Sequence, residues 1–156
     1  MTAEQVKAIL VFWADIPKQV RLLNKEYSVL EDDLYNPLGA VSMDGMPHGS
    51  GVSSKTENMA LIAADDGRSA RLLEIEKRKN LLLVLSAEIA AAMDCLCSTH
   101  KIILVDFYRE GKSWEQISRK VFLSVRQCKN KRNFAIAELG RGLERSETVK
   151  NFFWKK

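Results

Sequence analysis

Arg126, Gln127, Lys129, Asn130, Lys131 and Asn133 crowd one short stretch with the side-chain types that recognise a nucleic acid. Guanidinium and ammonium groups hold phosphate oxygens, while Arg pairs with guanine and Asn or Gln with adenine on the edges exposed in a major groove. By position, Arg126, Gln127 and Asn130 are expected to read bases, and Lys129, Lys131 and Asn133 to hold the backbone. Ser124 opens the stretch, where the N-terminus of a helix attracts an anion. Lys112 and Arg119 complete the expected DNA-binding set.

For those side chains to share one side, the segment must be a helix with an apolar back. Val125, Cys128, Ala135 and Leu139 supply that back at helical spacing. A shorter helix precedes it. Gly111 is suited to end the helix before that one, because glycine takes a left-handed conformation without steric cost. Ser113 and Gln116 form a capping box, as an N-cap and a third residue that bond each other's backbone N–H groups. Ile117 and Val121 face inward, small Ser118 permits a close helix crossing, Leu123 plugs the turn, and Ser124 caps the second helix. Residues 111–139 therefore read as a helix–turn–helix. Two helices alone bury too little to be stable, so an apolar helix over 87–98 and another over His100–Glu110, capped by Thr99, are expected to cover it. The latter would bury Ile103, Leu104, Phe107 and Tyr108.

Upstream, residues 3–34 read as helical, with Thr2 as cap and a kink or short break at Pro17, where Asp15 can cap a fresh start. Val20, Leu23, Tyr27, Leu30 and Leu34 lie on one face of the second piece. Asn36-Pro37 ends it. Residues 38–53 hold four glycines and a proline, which excludes a helix there. Ser54 and Glu57 form another capping box, opening a helix from about residue 55 into the eighties with Met59, Ile62, Ala63, Leu72, Ile75 and Leu82 as its stripe. Gly67 weakens that helix by about 1 kcal/mol relative to alanine. The pair most simply forms an antiparallel hairpin. The basic tail after Gly140 ends in Phe152-Phe153-Trp154, for which packing on Phe12 and Trp13 is the default expectation and a grip on a partner or contact with a membrane the alternatives. The expected architecture is all-α, an extended N-terminal helical hairpin followed by a helix–turn–helix domain. Its boundaries are 1–84 for the hairpin as an assembly or partner arm, 85–142 for the DNA-binding domain and 143–156 for the tail.

Charge supports a polyanion partner at one end. Residues 1–99 carry 10 Lys/Arg against 14 Asp/Glu, and residues 100–156 carry 14 against 6, so the basic excess coincides with the helix–turn–helix. Several function classes are set aside. The two histidines have no nucleophile or carboxylate at a motif spacing, and Asp32-Asp33 and Asp65-Asp66 read as solvated helix faces, so no enzyme is expected. Gly45, Gly49 and Gly51 lack a following Gly-Lys-Ser/Thr and a preceding strand, which argues against a nucleotide site. Met43 and Met46 in that loop could meet a protein partner. No cofactor or metal is expected: on one helix Cys95 and Cys97 would point about 200° apart, so they cannot share an ion with His100 or Cys128 unless the helix breaks. The cysteines are expected to be buried free thiols. The three cysteines follow no disulfide spacing, and there is no signal peptide, which suggests a reducing cytoplasm. The apolar run Leu81–Leu85 is too short to span a bilayer.

From Thr99 to Leu139 the pattern resembles region four of bacterial sigma factors. The matching residues are Ile103-Leu104, Phe107-Tyr108-Arg109-Glu110-Gly111, Ser113-Trp114-Glu115-Gln116-Ile117, Val121, Leu123-Ser124-Val125, Cys128-Lys129, Ala135 and Leu139. With the loop Met43–Ser53 and the long helix after it, residues 20–140 resemble the RinA- and ArpU-like activators of late genes in phages and prophages of Gram-positive bacteria. The resemblance implies a sequence-specific DNA-binding transcription regulator in the bacterial cytoplasm, an activator of a phage operon that binds promoter DNA and contacts host RNA polymerase. A homodimer through the hairpin would double the DNA site. The alternatives are a DNA-packaging protein like a small terminase subunit, or a sigma-mimicking inhibitor. Two positions depart from the pattern. Phe122 stands where the turn usually has glycine, which predicts a wider turn or a buried ring, because a positive φ strains a bulky residue. Arg132 replaces an apolar residue and is expected to shorten the buried face.

Overall fold

The computed structural model describes residues 1–35 and 67–154. Among them the protein is all-α, without a strand: α1 (Ala3–Tyr35), α2 (Arg68–Asp94), α3 (Ser98–Leu104), a π-helical turn (Val105–Arg109), α4 (Trp114–Val121), α5 (Val125–Leu143) and α6 (Glu147–Trp154). The chain divides into two compact units, Met1–Gln19 with Leu81–Lys156, and Val20–Asn80. The first nineteen residues thus share a unit with the C-terminal helices, a partition that cuts across the expected boundaries at 84 and 142.

In the unit Val20–Asn80, Leu23 and Ile75 are buried, and Val20, Tyr27, Leu30 and Leu72 are half-buried. The Arg71 guanidinium donates to one Glu26 oxygen from Nε at 3.3 Å and from Nη2 at 2.9 Å. The Lys79 ammonium lies 5.6 Å from the centre of the Tyr27 ring. The glycine-rich loop with Met43, Met46 and His48, the expected Ser54–Glu57 box, and Met59, Ile62 and Ala63 lie outside the described residues, as does the expected turn of the hairpin. Gly67 is not inside a continuous helix as expected: it has φ +64° and precedes α2, its carbonyl accepting from Arg71 N at 3.0 Å.

The larger unit is built on stripes at helical spacing. From α1 come Val6, Ile9, Leu10, Trp13 and Ile16, and from α2 Leu82, Leu85, Ile89 and Met93, all buried. Thr2 caps α1 as expected, accepting from Gln5 N while the Gln5 amide oxygen accepts from Thr2 N at 2.8 Å. The expected fresh start at Pro17 does not occur, and α1 runs through it. An interior proline costs about 3 kcal/mol, whereas each large side chain of the stripe gains about 1.5–3 kcal/mol on burial. Asp15 caps nothing; its carboxylate accepts from Gln19 Nε2 at 3.1 Å. For the same reason α2 does not break before residue 87, because one buried stripe crosses that position.

Helix α2 stops at Asp94, and Leu96, its N–H bonded to the Met93 carbonyl at 3.1 Å, turns inward. Cys95 and Cys97 therefore lie in the turn before α3, both exposed, and not on one helix as expected. Cys97, with extended φ and ψ, is the N-cap of α3 in place of Thr99, and its side chain makes no capping bond. Ile103 and Leu104 are fully buried, Phe107 and Tyr108 half-buried. The π-helical turn closes through Glu110 N to Val105 O at 3.0 Å, and Gly111 follows at φ +63°, the left-handed exit expected of it.

The predicted capping box of Ser113 with Gln116 is present on α4, and Ser124, expected only as a cap, forms a second box with Gln127 on α5. The turn between them is neither wide nor closed over its phenylalanine. Phe122 adopts φ 55° and ψ 40° with its side chain 92% exposed. The Ser118 carbonyl accepts from both the Phe122 and Leu123 N–H groups, which satisfies the end of α4 and sends Leu123 inward. Helix α5 does not end at Gly140 but continues to Leu143, and α6 follows. A Cβ at Gly140 would lie 3.1 Å from Val6 Cγ2, so glycine permits the close approach of α1 to α5. Phe12 meets Phe152 and Phe153 at 5.2 Å between ring centres, as expected for the aromatic end, whereas Trp13 lies instead under Arg109 at 4.6 Å. No helix among the described residues is long and apolar enough to cross a membrane.

A left-handed backbone costs an L-residue about 1–2 kcal/mol, and the exposed Phe122 ring gains nothing from burial. Phe122→Gly is therefore expected to raise the free energy of unfolding by about 1 kcal/mol, read as a higher denaturant midpoint at unchanged slope.

Candidate nucleic-acid interface

A small core holds α3, α4 and α5 together. Ile103, Ile117 and Cys128 are fully buried, with Phe107, Trp114, Val121 and Leu123 packed around them. Burial pushes the Cys128 thiol up. Phe107 and Trp114 stack at 4.5 Å between centres, and the Arg132 guanidinium covers them at 5.6 and 5.3 Å. Arg132 thus does not shorten the buried face as expected, because its flat cation lies on the aromatic pair. Ala135, Ile136, Leu139 and Leu143 continue the buried side of α5 beyond it.

Beside this core lies a carboxylate that sequence reasoning missed. Asp106, in the π-helical turn, is 3% exposed. Its Oδ1 accepts from Lys112 Nζ at 2.8 Å and from Lys120 Nζ at 3.0 Å, and its Oδ2 from Lys120 at 2.8 Å. Burial alone pushes this carboxyl up, but the two ammonium groups outweigh it and hold the pKa below the usual carboxylate value. The hydrogen bond to Asp106 in turn raises the Lys112 ammonium. Separations of six and fourteen residues follow no local period, so no helical pattern announces the cluster.

Against this frame, the two sides of α5 are chemically distinct. Successive residues turn about 100° around a helix, so the core positions Cys128, Ala135, Leu139 and Leu143 stand opposite Arg126, Asn130, Phe134, Ala137 and Arg141, all exposed. Lys129 and Lys131 flank that outer face. From Val125 to Ala137 there are four cations, Arg126, Lys129, Lys131 and Arg132, and no carboxylate. On α4, Arg119 is exposed and Glu115 sits in the first turn. The helix-start N–H of Glu115 and the Ser113 hydroxyl hold its carboxyl below the usual range, so it stays ionised beside Arg119 and Lys129.

The expected contact residues divide by what already holds them. The side chains of Arg126, Asn130, Lys131 and Arg119 enter no hydrogen bond or ion pair among the described residues. Ser124 and Gln127 bond each other: Gln127 N donates to Ser124 Oγ at 3.2 Å, and the Gln127 amide oxygen accepts from Ser124 N at 3.0 Å. Lys112 belongs to Asp106. The Asn133 amide oxygen accepts from Arg132 Nη2 at 3.2 Å, and the Lys129 ammonium lies 5.9 Å from the Trp114 ring centre. Sequence reasoning passed over Phe134, whose ring is exposed in the middle of the polar face. A large apolar residue among the outward positions was the available signal. His100 is no ligand to the turn cysteines here, its Nδ1 facing Glu138 Oε2 at 3.1 Å. Among the described residues no group of three or more His, Cys, Asp or Glu side chains is placed to hold a metal ion.

Comparison with known proteins supplies no family: no protein-family model matches the chain, and neither a curated protein nor a solved structure matches it.

Two predictions separate scaffold from surface. Gln127→Ala is expected to lose about 0.5–1 kcal/mol of stability with the capping box, whereas Gln127→Glu keeps the box and the stability, as thermal unfolding of both variants will show. Asp106→Asn removes the charge that gathers two lysines. Because those ammonium groups are partly exposed and can return to water, the expected loss at neutral pH is about 1–2 kcal/mol. The folded carboxyl has a depressed pKa, so ionised Asp106 stabilises above the usual carboxylate range, and that contribution disappears as pH falls through the folded value. Urea titrations from neutral to acid pH should therefore show the gap between wild type and Asp106→Asn closing on acidification.

Proposed function

We propose that the unit Met1–Gln19 with Leu81–Lys156 binds double-stranded DNA through a helix–turn–helix formed by α4 and α5, and that the protein regulates transcription. The observation that carries this reading is the outer face of α5. It is cationic, free of carboxylates from Val125 to Ala137, and Arg126 and Asn130 are exposed there without intramolecular partners among the described residues. Arg126 and Asn130 can pair with guanine and adenine edges. Lys131 and Arg119 are suited to phosphates at the sides of the groove. Gln127 is a weaker candidate than Arg126, because its amide oxygen already serves the cap. Lys112 is likewise committed to Asp106 and contributes mainly to the scaffold.

The resemblance to sigma region four and to late-gene phage activators supports the finer reading, a promoter-binding activator that contacts RNA polymerase. Such a protein recruits the polymerase while the module holds the promoter. Duplex binding by the full chain should weaken steeply with salt, since each cation placed on a phosphate releases a counterion. Lys131→Ala is expected to lower the slope of log affinity against log salt by about 1 on every duplex, and Arg126→Ala to cost about 1–3 kcal/mol on a selected site and relax its sequence. Filter binding and site selection at several salt concentrations check both. Affinity for duplex DNA that is absent or indifferent to salt overturns the proposal.

A further inference from the structure

Phe134 stands in the polar face without belonging to its chemistry. It follows Arg126 and Asn130 at spacings of four, so the three form one row whose members are about 40° apart around the axis. Its side chain is 70% exposed, and its ring makes no aromatic or cation–π contact among the described residues. The core of α5 lies on the opposite side, at Cys128, Ala135 and Leu139. A phenyl ring left in water on a cationic surface, one turn before the Glu138 carboxylate that faces His100, fits a partner that combines negative charge with an apolar spot. The major groove of DNA has one apolar group on its base edges, the C5 methyl of thymine.

We propose that Phe134 contacts a thymine C5 methyl in the major groove, giving this helix face an apolar selectivity contact beside Arg126 and Asn130. The inference rests on α5 being the DNA-reading helix. Phe134 lies eight residues beyond Arg126, about 12 Å along the axis. At about 3.4 Å per base pair, the thymine belongs at most about three to four base pairs from the base that meets Arg126. Exposed Ala137, one turn further on, extends the apolar strip.

The test selects a duplex from a randomised pool with the full chain and then replaces each thymine in turn by deoxyuridine, which removes only the methyl. At one position the wild type is expected to lose about four-fold in affinity, the effect of one buried methyl. Phe134→Ala should bind the thymine duplex at least about four-fold more weakly and be indifferent to deoxyuridine at that position. Phe134→Leu, which keeps an apolar tip, should retain the sensitivity. Because the side chain is exposed, both variants should unfold at the wild-type temperature. Salt-dependent binding with no deoxyuridine effect at any position, or an effect that survives in Phe134→Ala, overturns the thymine contact and leaves DNA binding intact. Failure of the wild type to bind any duplex overturns the DNA-binding reading and this inference with it, and a Phe134-dependent complex with an acidic protein in that case assigns the row to a protein partner.

Discussion

The Asp106 carboxylate lies buried in the π-helical turn with the ammonium groups of Lys112 and Lys120 on its two oxygens. A buried charge is costly unless it is paired, so this arrangement admits few alternatives. The turn must lie against the end of α4, and the chain between them must reverse within a few residues, which Gly111 allows by its left-handed backbone. Once α4 is held there, Ile117 reaches Ile103 and Cys128 to form the small core. Three fully buried side chains are few for three helices, and the ionic clamp adds direction that apolar contact lacks. The position of α5, and of the face it turns outward, follows from this joint.

Two further contacts fix which side of α5 remains in water. Arg132 lies flat over Phe107 and Trp114 on one side, and Val6 of α1 approaches Gly140 near the other end. Both occupy the inner side of the helix, where a surface residue would otherwise compete for space. What is left outside is the row Arg126, Asn130 and Phe134, with Lys129 and Lys131 at its edges. The proposed DNA contact thus depends on a scaffold whose members do not touch the partner. Gln127 and Lys112 are part of that scaffold, although their chemistry alone would suit the interface equally well.

Much of the local structure was readable before any fold was seen. The caps at Thr2, Ser113 and Ser124 rest on hydrogen bonds between residues three apart, which follow from local sequence at a helix start. The inward positions Ile103, Leu104, Ile117, Cys128, Ala135 and Leu139 follow from helical period. Breaks were harder to read. Pro17 suggested a kink or short break and the region near residue 85 an end, but the buried stripes of α1 and α2 run across both. The reverse error occurred at Cys95 and Cys97, placed on one helix although Leu96 turns into the core there. At Phe122 the strain argument was sound, yet the alternatives it suggested do not occur. Closing α4 through the Ser118 carbonyl and burying Leu123 outweigh about 1–2 kcal/mol of backbone strain.

By itself, the sequence determined the all-α class, the caps, the inward stripes and the basic character of the second half, because each depends on residues a few positions apart or on composition. Only the tertiary structure decided which cations are already taken by Asp106, Trp114 and Phe107, and that the first nineteen residues complete the unit carrying α5. The same is true of Phe134, which is left bare on the outer face. These outcomes depend on contacts between residues far apart in the chain. A charge or a ring has the same local pattern whether its partner is water, a neighbouring helix or another molecule, and only packing decides which of them it meets.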